Sequence, residues 1–164
     1  MTLYFYETYC NNFVVDKKHI ENGECHNPNG PAHEQWDEIT HNKTLEKYYI
    51  NDRPHRIGAP AVIKWDTDGI KNIEFYYING GAHNENGPAV ISYNNSGNIL
   101  YKSYYIDDYK VTEEEYYQKY PNAAGNPEGI KNLVEDICSK CGDKDDYLSP
   151  HKNTGKLVCY KCCV

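Results

Sequence analysis

The sequence is short of the residues that usually fill a protein core. Met occurs once, Phe three times and Trp twice in 164 residues, and Leu is scarce. No apolar run reaches ten residues, whereas a membrane-spanning helix needs about 20, so no membrane association is expected. Residues 1–7 carry neither the basic stretch nor the apolar stretch of a signal peptide; an intracellular, cytoplasmic protein is the expectation. Arginine is limited to Arg53 and Arg56, and the net charge is −7, which argues against a general nucleic-acid binder. Also missing are the nucleophile-elbow, Walker, H-E-x-x-H and Rossmann glycine patterns. Acidic residues are plentiful but scattered, so a non-enzymatic protein is expected.

What is abundant is tyrosine, 17 residues of it, together with Asn, Ile and Lys. This usage is that of an AT-rich coding sequence. Tyrosine can nevertheless build structure, because it suits strands and joins a large apolar ring to a polar tip.

The tyrosines are not scattered. Tyr48-Tyr49-Ile50, Tyr76-Tyr77-Ile78 and Tyr104-Tyr105-Ile106 recur every 28 residues. His26, His55 and His83 each precede a proline by five residues (Pro31, Pro60, Pro88) and an aromatic by ten (Trp36, Trp65, Tyr93). Asn22-Gly23, Asn51-Asp52, Asn79-Gly80 and Asp107-Asp108 form a third periodic series, and such self-similarity is the signature of a repeat architecture. Within one unit, residues 60–65 read as a strand opened by proline, residues 66–69 as a turn and residues 70–78 as a second strand. Ile73, Phe75 and Tyr77 alternate with Glu74, Tyr76 and Ile78 along it, and Asn79-Gly80 is a hairpin turn signal. A lone hairpin is marginal in water, and stacking hairpins resolves that. The expected fold is therefore mainly β: an elongated sheet of stacked hairpin repeats with a period of about 28 residues. The stretch before residue 20 alternates only loosely and reads as a degenerate cap.

The strings Tyr76-Tyr77-Ile78-Asn79-Gly80 and His83 through Gly87-Pro88-Ala89-Val90-Ile91 resemble the MORN-like repeats of bacteria and of giant viruses of amoebae. The resemblance spans roughly residues 20–108. It implies an extended hairpin array used for binding or scaffolding, with a giant-virus source fitting the AT-rich usage. The first unit departs from the pattern, lacking the aromatic triplet and carrying Ala32-His33-Glu34 in place of Ala-Val-Ile.

Two readings attach to the register-matched His26, His55 and His83: a metal or catalytic group, or a repeated structural contact such as a hydrogen bond to the Gly-Pro turn. The second is preferred, since a residue recurring at one repeat position usually makes the same contact each time. The triplet tyrosines Tyr48, Tyr76 and Tyr104 are candidates for protein contacts, where tyrosine is enriched.

After the repeats, Thr112 and Glu115 match a capping box, three glutamates occupy the first turn, Lys119 the last, and Pro121 follows. A short capping helix over the end of the sheet is expected, with an acidic docking helix as the alternative. Residues 1–120 thus form the repeat domain, residues 121–129 a linker and residues 130–164 a small terminal domain.

That last segment holds Cys138, Cys141, Cys159 and Cys162 in a C-x2-C-x17-C-x2-C pattern, the spacing of a four-cysteine zinc site. It resembles a zinc ribbon. About 35 residues cannot bury a sufficient core, so one structural zinc ion would supply much of the folding energy. Four thiolates close the coordination sphere, which disfavours catalysis. Cys163 and His151 are alternative ligands, and Cys10 and Cys25 read as free thiols. Residues 130–164 carry a formal +1 and the remainder −8, so any nucleic-acid contact is confined to the ribbon. The leading expectation is a protein-binding adaptor or scaffold. Its alternatives are a transcription or translation accessory factor acting through the ribbon and a structural virion component. Reduced protein should contain about one zinc per chain by elemental analysis, lost in Cys138→Ser or Cys159→Ser; metal-free reduced protein would dismiss the ribbon.

Overall fold

The computed structural model describes residues 3–126 and the backbone of two further short strands, residues 148–150 and 157–159. The chain is mainly β. Its principal sheet is antiparallel and follows chain order: β1 (Leu3–Cys10), β2 (Phe13–Glu21), β4 (His33–Trp36), β5 (Lys43–Lys47), β8 (Val62–Trp65), β9 (Lys71–Phe75), β12 (Val90–Tyr93), β13 (Ile99–Ile106) and β14 (Tyr109–Val111), with β3 (Glu24–Cys25) paired beside β2. Short hairpins lie off this path, β6 (Tyr49–Ile50) with β7 (Arg53–Pro54) and β10 (Tyr77–Ile78) with β11 (Gly81–Ala82). A separate hairpin joins β15 (Leu148–Pro150) to β16 (Leu157–Cys159).

The long strand expected over residues 70–78 is broken at Tyr76. β9 stays in the main sheet, and β10 turns away into the hairpin with β11. The break has a clear hydrogen-bonding cause. Tyr76 N–H donates to Ala89 O at 2.8 Å and Tyr76 O accepts from His83 N–H at 3.1 Å, so this one residue joins the two ladders. Tyr48 does the same with Ala61 O (2.8 Å) and His55 N–H (3.0 Å). The alternation of side chains runs through the bend uninterrupted, so periodicity alone does not reveal it.

The hairpin tips are two-residue turns with both central residues at positive φ: Asn22 and Gly23, Asn51 and Asp52, Asn79 and Gly80, Asp107 and Asp108. This is the mirror-type turn that matches strand twist and that Asn, Asp and Gly tolerate best. Aspartate at the second position has a further use. Asp52 Oδ1 accepts from Cys25 N–H at 2.7 Å and Asp108 Oδ1 from Ala82 N–H at 3.1 Å, tying each tip to the one before it. At the other end of the strand pairs, Asp66 and Asn94 open three-residue loops in which Gly69 and Gly97 take the left-handed position. The first such loop, opened by Asp37, is one residue longer and uses His41 at φ 59° instead. A register shift beside each loop leaves Thr44, Asn72 and Leu100 as the extra residues, opposite Trp36, Trp65 and Tyr93 on the neighbouring strand.

Small side chains are prominent among the most buried. Ala32, Ala61 and Ala89 are each 0% exposed. Each follows a proline and enters a main strand. Ala61 N–H donates to Phe75 O (2.9 Å) while its carbonyl accepts from Tyr48 N–H. Across one face of the sheet runs a register row of Glu7, Lys17, Glu34, Glu46, Ile63, Glu74, Ile91 and Lys102. Here Lys43 Nζ bridges Glu34 (2.5 Å) and Glu46 (3.0 Å), and Lys71 Nζ reaches Glu74 at 2.7 Å.

The helix α1 (Glu113–Lys119) forms as expected, with Thr112 as N-cap and a complete capping box to Glu115. It covers the end of the sheet by packing Tyr116 on Tyr104. Ala123 joins the same cluster, and Asn126 Nδ2 donates to Pro121 O at 2.6 Å. Enlarging an alanine junction should be costly. Ala61→Leu is expected to lower unfolding stability by roughly 1–3 kcal/mol, read as a fall in the urea midpoint, whereas Lys64→Leu on the exposed side of β8 should stay within about 0.5 kcal/mol.

Candidate functional site

Each aromatic triplet floors a groove. The first triplet residue and the isoleucine two positions later face the same way. A histidine-to-proline loop walls them on one side and the following loop or helix on the other. The groove over Tyr48 and Ile50 encloses about 580 Å³ between the loop at Asn27 to Pro31 and residues 55–57. Another, over Tyr76 and Ile78, encloses about 290 Å³ and is flanked by Arg56 to Gly58 and by His83 to Asn86. Over Tyr104 and Ile106 the corresponding space is filled by α1, through Tyr116 and Tyr117, and by Tyr120.

The filled groove has a defined chemistry. Tyr116 is 0% exposed, its ring centroid lies 4.7 Å from that of Tyr104, and its hydroxyl donates to Asn84 O at 2.7 Å while accepting from Gly87 N–H at 2.8 Å. Burial pushes the Tyr116 phenol up to about 12, so the hydroxyl stays protonated and able to donate. Tyr104 donates to Glu113 at 2.6 Å, and burial, with that bond, raises its pKa. At 4% exposure Tyr104 touches the chain's own helix rather than solvent, unlike the other two candidate contact residues. Tyr48 and Tyr76 are half-buried at the base of their grooves, and burial raises both phenols. Tyr48 donates to Glu46. Burial pushes the Glu46 carboxyl up, but the bonds from Tyr48 and Lys43 outweigh it, and its pKa lies below the usual carboxylate range.

The loops that wall the grooves are held by residues the periodic markers did not include. Asn27 Nδ2 donates to Pro31 O (2.9 Å) and Asn27 Oδ1 accepts from Asn29 N–H (3.1 Å). Asn84 repeats both bonds with Pro88 O and Asn86 N–H, each at 3.0 Å. In the middle loop Arg56 Nη1 takes over, donating to Pro60 O at 3.2 Å, while the guanidinium lies 3.7 Å above the Tyr48 ring. The only sequence signal for these roles is their position immediately after each histidine.

The histidines do make one repeated contact, but its partner is not the Gly-Pro turn. Nδ1 of His26, His55 and His83 lies within hydrogen-bond distance of the backbone N–H of Asn51 (3.3 Å), Asn79 (3.0 Å) and Asp107 (3.1 Å), and in His26 and His83 it also faces the side-chain oxygen of the same residue, Asn51 Oδ1 at 2.6 Å and Asp107 Oδ1 at 3.1 Å. Each imidazole thus bonds to the first residue of the next hairpin tip, and an asparagine or arginine holds the loop proline carbonyl instead. An accepting Nδ1 carries no proton, which places the proton of neutral His55 on Nε2. Among the described residues, no three His, Cys, Asp or Glu side chains converge as a metal site requires. Cys10 and Cys25 are free thiols. Cys138, Cys141 and Cys162 lie outside the described residues, as does the side chain of Cys159, whose backbone ends β16 opposite Leu148. No described helix is long and apolar enough to cross a membrane.

No family model matches the sequence, and no curated protein or solved structure is significantly similar to it.

Removing the Tyr116 hydroxyl strands a buried amide, so Tyr116→Phe should cost about 1–3 kcal/mol. Tyr116→Ala, which also empties the groove, should cost about 3–5 kcal/mol. Urea denaturation of both variants, followed by far-ultraviolet circular dichroism, measures the difference.

Proposed function

We propose that the protein is a non-enzymatic binding adaptor of the MORN-like type, carrying a hairpin-repeat platform and a C-terminal zinc ribbon. The observation that supports this most directly is the pair of open grooves over Tyr48 and Tyr76, beside a third of the same build that already holds a helix. Binding surfaces are concave, largely apolar and supplied with a few placed polar groups, and these grooves combine aromatic floors with loop amides.

The ribbon reading rests on the C-x2-C-x17-C-x2-C spacing, with Cys138, Cys141, Cys159 and Cys162 as the four thiolates that would hold zinc. Zinc there would serve folding and leave no open coordination position for catalysis. Nucleic acid, if contacted, meets the ribbon, because the rest of the chain is strongly acidic. The proposed setting is the cytoplasm, of an infected host or packaged in a virion if the source is viral.

Affinity capture with the full chain, followed by mass spectrometry, should recover a specific protein. Tyr48→Ala should lose that partner and Cys138→Ser should keep it. Recovery of RNA or DNA alone, released by salt and lost in Cys138→Ser, would replace the adaptor with a nucleic-acid factor.

A further inference from the structure

The occupant of the third groove specifies what the first can take. We infer that the groove over Tyr48 is a docking site for a tyrosine side chain presented by an acidic helical segment of a partner protein. This deepens the adaptor reading and rests on it.

The two loops are the same device. Asn27-Pro28-Asn29-Gly30-Pro31 matches Asn84-Glu85-Asn86-Gly87-Pro88 at every position but the second, and the internal hydrogen bonds of Asn27 and Asn84 agree to within 0.1 Å. Both loops lead into a buried alanine, Ala32 or Ala89, that fixes where the loop ends. Behind each lies the same floor, Tyr48 with Ile50 or Tyr104 with Ile106. In the third groove the Gly87 amide and the Asn84 carbonyl are spent on the Tyr116 hydroxyl. In the first, the counterpart Gly30 amide and Asn27 carbonyl have no partner among the described residues. A phenol is the one natural side chain that fills an aromatic slot while both donating and accepting at its tip. The first groove therefore offers the half of the interaction that α1 completes in the third.

Charge sets the flanking chemistry. Arg56, whose guanidinium rests on the Tyr48 ring, lines both grooves, but the groove over Tyr48 adds His55 and no carboxylate lines it, whereas Glu85 lines the groove over Tyr76. The middle loop also lacks the paired asparagine bonds, its proline carbonyl being held by Arg56. The helix that fills the third groove carries Glu113, Glu114 and Glu115 in its first turn, just ahead of Tyr116. In the third groove Glu113 meets Lys102 and the Tyr104 hydroxyl, whereas Glu46, bonded by Tyr48, holds the Lys102 position in the first. The guanidinium that lines the first groove is that of Arg56, and a carboxylate of the partner segment would pair there instead, a favourable charge-assisted contact. The groove over Tyr48 is thus the better match.

The test uses the full chain labelled with nitrogen-15 and an acetylated peptide with the sequence of residues 112–121 as probe. Saturable movement of the Gly30 amide resonance is expected, with little change at Gly87, whose groove is filled in place. The same peptide carrying Tyr116→Phe should bind roughly fivefold to tenfold more weakly, the loss of one to two net hydrogen bonds. Arg56→Gln in the protein should weaken the tyrosine peptide as well. Absence of saturable shifts at Gly30, equal binding by the phenylalanine peptide, or shifts confined to Gly87 and Tyr104 would each overturn the inference. So would a dimer in sedimentation that the peptide dissolves, because the occupant would then be α1 of a second copy. The phenylalanine comparison leaves the protein unaltered, so no folding defect can imitate it. Loss of partner capture with peptide binding retained would remove the adaptor and keep the groove; the reverse would remove the groove alone.

Discussion

Three buried alanines set the geometry on which the rest of the structure depends. At Ala32, Ala61 and Ala89 the chain leaves a loop and enters the main sheet, and each residue is bonded on both sides, forward through its N–H and backward through its carbonyl. The proline before each one has no N–H to satisfy and a fixed φ, so it can sit at a strand start. With zero exposure, a residue larger than alanine has no free space to enter and must displace its neighbours. Because Ala61 accepts from Tyr48 N–H and Ala89 from Tyr76 N–H, these two alanines also place the first tyrosine of the first two triplets. The bend, the tip hairpin and the groove floor then follow from one packing constraint per unit.

The tips are a second, weaker ladder alongside the first. Asp52 N–H donates to Cys25 O at 3.0 Å, Gly80 N–H to Pro54 O at 2.9 Å and Asp108 N–H to Ala82 O at 2.9 Å. Aspartate side chains reinforce two of these links and the histidine ring nitrogens reinforce all three steps. Tip and sheet therefore advance in one register, and a groove of similar form opens between successive loops. Among the described residues, only at the last step does the chain provide its own filling, through Tyr116.

Much of this was legible in the sequence where a local rule is strict. Asn-Gly and its Asn-Asp and Asp-Asp variants announce left-handed turns because few other residues tolerate positive φ twice in succession. Thr112 and Glu115 announce the helix start because the capping box is a contact between near neighbours. The break at Tyr76 was not legible, since the pleat alternation of Ile73, Phe75 and Tyr77 continues while the hydrogen-bonding partner changes. Nor was the partner of each histidine, which lies 24 or 25 residues along the chain and is fixed only once the tips stack. The Pro-Ala pair recurs at residues 31–32, 60–61 and 88–89, but so small a side chain does not itself announce that it is fully buried. The candidate tyrosines were found, but Tyr104 could not be told from Tyr48 and Tyr76 without seeing where α1 lands.

Composition itself then acquires a physical reason. Among the described residues the sheet is backed by one helix of seven residues, so most of its side chains have solvent within reach. A leucine there would expose its tip, whereas tyrosine can bury its ring and aim its hydroxyl at a partner. Tyr48 pairs with Glu46, Tyr93 with Glu74 at 2.6 Å, Tyr104 with Glu113 at 2.6 Å and Tyr116 with the loop at Gly87. Burial leads the causes that raise all four phenol pKa values, which keeps every hydroxyl a donor at neutral pH. The described residues contain no buried side-chain nitrogen or oxygen without a hydrogen bond, so the fold tolerates a tyrosine-built core without stranded polar groups. A genome that supplies tyrosine freely and leucine sparingly can therefore build this sheet, and the same ring-plus-hydroxyl chemistry that closes its last groove is what its first groove leaves unsatisfied.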